Sequence, residues 1–141
     1  MKFRPSISVF PGFEEPRPSV TYGIEAAWTG LTAADTQVLT DLETKALAAF
    51  RAAAGPACTL WALDWQHACY AFRPSAARPD DPWPIPALPD GDYHLFLDPG
   101  LRFGWLGHPW EQTICLFGAP LLAALKRHCP LLLRDPVRRK D

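Results

Sequence analysis

Gly107-His108-Pro109-Trp110-Glu111-Gln112-Thr113-Ile114-Cys115-Leu116-Phe117-Gly118-Ala119-Pro120 is a polar knot that runs at once into an apolar, β-branched and aromatic stretch and then into a helix start. Gln112 to Phe117 reads as a strand. Gly118 breaks it, and Pro120, which lacks an N–H that a first helical turn would leave unbonded anyway, suits a helix running through Leu121, Leu122 and Leu125 until Pro130 stops it. Strand directly before helix is half of the fold class, and the chain upstream supplies the other half.

Working back from Gly107, Gly91 to Leu97 is a strand, Asp98-Pro99-Gly100-Leu101 places proline and glycine for a type II turn, and Arg102 to Leu106 is expected to pair back before Gly107 ends the pairing. Thr59 to Trp65 and Ala68 to Phe72 are two further strands around Gln66-His67, either a tight hairpin or one long bent strand. Leu39, Leu42, Ala46, Phe50 and Ala53 recur at helical spacing behind the capping pattern Thr32-x-x-Asp35, and Gly55-Pro56 ends that helix. Ser19 to Ala27 alternates, with Val20, Tyr22 and Ile24 on one face. Residues 1–18 carry prolines at 5, 11, 16 and 18 and are expected to lie as an extended arm over the core. Residues 73–91 carry six prolines and are expected to form a stiff irregular loop, and residues 134–141 a polar tail. The order strand, helix, several strands, helix predicts a single α+β domain over residues 1–141. Its mainly antiparallel sheet would have about five to six strands, with two helices on one face.

With 141 residues and a net charge of -1, the chain holds one core and lacks the basic field that nucleic acid or an anionic membrane demands. No run approaches the roughly 20 apolar residues of a membrane span, and Met1-Lys2-Phe3-Arg4-Pro5 is no signal peptide, so a cytoplasmic protein is expected. Cys58, Cys69, Cys115 and Cys129 are widely spaced in apolar surroundings and read as reduced core thiols.

The chemistry-bearing residues concentrate in a few places. His108 and Glu111 meet if Pro109-Trp110 turns, giving an imidazole whose basicity a carboxylate controls; the plainer alternative is a histidine that bonds the backbone at a corner. Asp64 and His67 flank Trp65-Gln66, while Asp92 and His94 alternate along one strand and share a face. If these strands adjoin, the histidines and carboxylates surround one cleft. Metal-ligand spacing such as H-x-H or H-E-x-x-H does not occur, so no metal and no cofactor is expected. Trp65, Trp83, Trp105 and Trp110 lie in or beside the polar motifs, and Trp28 and Trp61 read as packing residues. Trp65, His67, Tyr70, Trp83, His94 and Trp110 are the expected substrate-binding walls, with a hydrophobic floor beneath the proline loop as the alternative. No G-x-S-x-G elbow and no phosphate-binding glycine loop is present.

At Asp64-Trp65-Gln66-His67, Trp83-Pro84-Ile85-Pro86, Leu88-Pro89-Asp90-Gly91-Asp92-Tyr93 and Gly107-His108-Pro109-Trp110-Glu111-Gln112-Thr113 the chain resembles a family of small bacterial proteins classed as a domain of unknown function. The resemblance runs from about Phe3 to His128 and implies no activity. It also implies that members often carry a longer segment ahead of Phe3-Arg4-Pro5-Ser6, expected to be absent here. From the residues themselves the expectation is a small-molecule-binding protein doing cofactor-free acid/base chemistry: isomerisation, cyclisation, elimination or hydrolysis of a biosynthetic or toxic metabolite. His108 would be base or acid, Glu111 its orienting partner, and Asp92 or Asp64 a second proton carrier. The alternative is an immunity-type or regulatory module that binds a protein partner through Trp83, Trp110 and acidic residues.

Overall fold

The computed structural model describes residues 2–4, 8–9, 12–25, 33–78, 81–89 and 91–141, side chains of residues 33–36 excepted. The long amphipathic run forms helix α1 (Ala33–Ala54), ended by Gly55 at φ 81 as a left-handed cap needs. The expected Thr32 cap, Trp28, and Ile7 and Phe10 of the arm lie outside the described residues. Strand β3 (Ser19–Gly23) precedes α1, and β4 (Leu60–Asp64), β5 (Tyr70–Phe72), β6 (His94–Leu97), β7 (Gly104–His108) and β8 (Thr113–Phe117) follow it. Helix α2 (Ala119–Leu125) starts at Gly118, whose φ of 94 and close approach to Arg102 and Phe103 exclude a side chain. Strand β9 (Asp135–Lys140) closes the chain.

The sheet is antiparallel throughout, in the order β5-β4-β6-β7-β8-β3-β9. Its seven strands exceed the expected five or six because residues 134–141 are no tail. Arg138 and Lys140 pair with Thr21 and Ser19 as an edge strand whose polarity is that of a sheet margin. A separate two-stranded hairpin, β1 (Lys2–Arg4) with β2 (Gly12–Glu14), replaces the plain extended arm.

Each face of the sheet has its own core. Leu42, Ala46 and Phe50 of α1 and Leu121, Ala124 and Leu125 of α2 pack on Leu60, Ala62, Phe96, Trp105, Ile114 and Leu116, so both helices share one face as expected. Burying a side chain such as Phe50 or Phe96 contributes roughly 1.5 to 3 kcal/mol. Leu95, Leu97, Leu106, Cys115 and Phe117 line the opposite face, where Phe3 of β1 and Phe13 of β2 cover them.

One local reading left open is decided, and three are corrected. The strands around His67 form a hairpin, Leu60 facing Phe72. In the turn after β6 the positive φ falls on Leu101 (59) rather than Gly100, the geometry of a type I turn with a left-handed residue behind it. Gly107 stays inside β7, paired with His94 and Ile114, and its missing Cβ leaves room for Pro89, 2.9 Å from where that atom would sit. Helix α2 ends at Leu125, short of Pro130.

The proline-rich segment is irregular, as expected, but well tied. Arg51 Nε donates to the Pro74 carbonyl at 2.8 Å, Ser75 Oγ to Pro56 at 2.7 Å, and the buried Trp105 indole to Ala87 at 3.0 Å. Trp83 is half-buried among Phe50, Phe72 and Phe96, the packing of the hydrophobic floor. Trp61, by contrast, is exposed instead of packed. Only Cys115 of the four thiols is buried; Cys69 and Cys129 face solvent.

Candidate functional site

The pairing of β6 with its neighbours decides what the polar residues can do together. His94 lies opposite Asp64 on β4 and opposite Gly107 on β7. His94 and Asp64 therefore share the helix-side face with Phe96 and Ala62, whereas His108, one residue beyond Gly107, points with Leu106 to the hairpin side. The single cleft expected from sequence is thus two polar centres on opposite faces of one sheet end. Tyr93 stands between them on the hairpin side, its ring 5.1 Å from those of His108 and Phe3 and 5.6 Å from Trp65.

On the hairpin side, Pro109 to Gln112 do turn, with Gln112 in the left-handed region at φ 56. The contact that closes the turn is the Glu111 backbone N–H, which donates to His108 Nδ1 at 3.1 Å. The Glu111 carboxylate meets Arg138 of β9, so the group seen against Nδ1 is the Glu111 amide and not its carboxylate. An N–H can only donate, so Nδ1 is bare and the neutral His108 ring carries its proton on Nε2. That makes the ring a donor through Nε2, and protonating Nδ1 would break the turn.

Arg138 also donates from Nε to Glu15 Oε1 at 2.8 Å, and Lys140 Nζ sits 2.8 Å from Glu15 Oε2. Burial pushes the Glu15 carboxyl up, but its bonds to Lys140 and Arg138 outweigh this and hold it below the ordinary carboxylate range. Between β2 and the sheet, Gly12, Phe13, Glu15, Leu106, His108, Glu111, Thr113, Cys115 and Arg138 bound a cavity of about 360 Å³. Burial pushes the Cys115 thiol up to about 12, so it is an inert wall. A groove of about 770 Å³ adjoins this cavity along β9 and shares Glu111, Thr113 and Arg138 with it.

On the helix side, His67 Nδ1 lies 3.0 Å from Asp64 Oδ1 and 3.2 Å from Asp92 Oδ2, and His94 Nε2 lies 3.5 Å from Asp64 Oδ2. The Leu88 carbonyl, which can only accept, is 3.3 Å from His94 Nδ1 and fixes the proton there. Asp92 Oδ1 takes the Tyr93 N–H at 2.7 Å, and Asp64 Oδ1 takes the Gln66 N–H at 3.2 Å. The two carboxyls are driven apart. Burial and the adjoining Asp64 raise Asp92, whereas for Asp64 the burial penalty is outweighed by bonds to Asp92, His67 and the Gln66 amide, which lower it. The Asp64 carboxylate raises His67, which is 70% exposed at the rim.

Trp65, edge-on to Tyr93, is exposed, as are Tyr70 on the edge strand β5 and Trp110 at the tip of the β7–β8 turn. Sequence reasoning missed Glu15, Arg138 and Lys140, which meet only across more than a hundred residues of chain. The alternation Arg138-x-Lys140 was the one available signal that a strand face carries them.

A family model described as a protein of unknown function, DUF2716, matches residues 1–122, a span that holds both centres except Arg138 and Lys140. The uncharacterized protein YxiI of Bacillus subtilis (strain 168) is 44% identical over 101 residues, which take in 70% of this chain and 62% of that protein. The chain thus aligns with less than two thirds of that relative's length. No solved structure matches. With the family model covering well over half of its residues, the chain belongs to the DUF2716 family.

Proposed function

We propose that this chain binds a small molecule in the cavity beneath the β1–β2 hairpin and performs acid/base chemistry on it, of the isomerase, cyclase, lyase or hydrolase kind. The observation that carries the reading is the burial of His108, 4% exposed, in the wall of a cavity that also holds Glu111, Glu15 and Arg138. A catalytic imidazole needs a concave setting; a protein-docking patch would leave it at a flat surface. His108 Nε2–H is the proton donor, Arg138 docks an anionic group of the ligand, and Glu111 and Glu15 hold Arg138 in place.

The test uses a ligand found by thermal-shift screening against a metabolite library. His108→Asn keeps an acceptor where Nδ1 stands, so the turn survives, and removes Nε2. Turnover is expected to fall roughly 100- to 10,000-fold while the fold persists. Turnover and ligand-induced stabilisation both unaltered by His108→Asn and Arg138→Gln would sink the reading.

The exposure of Trp65, Tyr70 and Trp110 favours a second reading, an immunity-type or regulatory module. Under it, Trp65→Ala and Trp110→Ala abolish capture of one stoichiometric protein partner, and His108→Asn does not.

A further inference from the structure

The helix-side cluster is not explained by the cavity chemistry, and its donor atoms are arranged in an unusual way. Asp64, His67 and Asp92 each offer one ligand atom, and those atoms lie within 4.8 Å of one another. The separations of 3.0 Å from His67 Nδ1 to Asp64 Oδ1 and 3.2 Å to Asp92 Oδ2 match the ligand-to-ligand edges of about 3.0 to 3.4 Å that follow from metal–ligand bonds of roughly 2.1 Å.

A further observation points inward. Asp92 Oδ2 is buried, and the nitrogen within reach of it, His67 Nδ1 at 3.2 Å, makes no aligned hydrogen bond to it, a setting that disfavours a carboxylate unless a cation or a proton joins it. The only imidazole at the mouth, His67, is open to solvent.

We propose that Asp64, His67 and Asp92 form a binding site for a divalent first-row transition ion, zinc being the ion to test first, with His94 standing behind Asp64. Mixed imidazole and carboxylate donors suit zinc or iron better than calcium or magnesium, which prefer oxygen throughout. Three protein ligands leave a coordination position open towards the exposed rim. The expectation of a metal-free protein rested on linear spacing, and these three ligands come from the end of β4, the β4–β5 turn and the residue pair ahead of β6, which no linear motif joins. The inference stands apart from the His108 cavity, which lies on the other face.

The test takes the tag-free chain, strips it with chelator, mixes it with excess zinc and desalts it, then counts the retained metal by elemental analysis. One ion per chain is expected, with a raised melting temperature. His67 is exposed, so His67→Ala folds, and it should weaken zinc binding at least about 100-fold. Asp92→Asn should weaken it similarly, and His108→Asn should leave it unchanged. Cobalt in place of zinc should give visible absorption bands that His67→Ala abolishes. Failure to retain zinc, or retention undiminished by both His67→Ala and Asp92→Asn, overturns the proposal and assigns the cluster to a proton shared between the two carboxyls.

Discussion

On the two faces of one sheet end, with Tyr93 between them, the molecule holds two polar centres that are balanced in opposite ways. On the hairpin side Glu15 and Glu111 face Arg138 and Lys140, so every carboxylate has a cation within reach. On the helix side the titratable groups that Asp64 and Asp92 meet, among the described residues, are each other and two imidazoles, one of them exposed. Matched charges can be held by the fold alone. Unmatched ones need a proton or an ion from outside, because a charge removed from water without a partner is strongly disfavoured. The charges of the first centre are matched among themselves; the second is the centre at which we propose an ion.

The largest effect that sharpens this contrast is expected at Glu15. Glu15→Ala leaves Arg138 and Lys140 without the buried carboxylate that joins β9 to the start of β3. Loss of such charge-assisted bonds costs about 2 kcal/mol, discounted here because Arg138 is 44% and Lys140 30% exposed. Urea denaturation should show a lower midpoint, and proteolysis should release the β9 segment first. Unchanged stability would mean that the charges of the first centre are merely solvated.

A pH titration of stability supplies the next largest effect and a reference outside both centres. Arg102 donates to Asp98 from its backbone N–H, from Nε at 2.9 Å and from Nη2 at 3.0 Å. The guanidinium holds the Asp98 carboxyl down, at about 2 against an ordinary 3.8, despite burial. A depressed carboxyl stabilises the fold above its unfolded value and loses that contribution as pH falls from about 4 towards 2. The contribution is at most about 2 kcal/mol, and less because the Arg102 guanidinium is half exposed. Asp98→Asn should flatten this acid limb; an identical limb in wild type and variant would refute the assignment.

How far these centres could be read from the chain depended on distance along it. Helix α1 and the β run through Phe117 are local patterns, and each was legible. The separation of His108 from His94 was not, because it depends on β6–β7 register: His94 meets Gly107, and a slip of one residue would have put both histidines on one face. Likewise Arg134 to Lys140 look like a solvated tail until Glu15, 123 positions from Arg138, is seen beside them. Gly107 read as a breaker because glycine usually is one in a strand pattern; here it makes room for a proline ring.

The smallest effect is the most diagnostic, since it carries the opposite sign to Glu15→Ala. In the metal-free chain Asp92 is a buried carboxyl beside a second carboxyl on the neighbouring strand, with one oxygen that no aligned hydrogen bond reaches. Asp92→Asn removes the like charge and supplies an N–H₂ that can donate to Asp64, while the remaining carbonyl oxygen can keep the Tyr93 N–H. Cross-strand like-charge contacts are worth roughly 0.2 to 1 kcal/mol. At neutral pH, chelator-treated Asp92→Asn should therefore melt at the wild-type temperature or slightly above it. Zinc should then reverse the order, raising the wild type and leaving the variant where it was. Clear destabilisation of the metal-free Asp92→Asn chain would show that the charges of the second centre, like those of the first, are matched among themselves, and the contrast across Tyr93 would collapse.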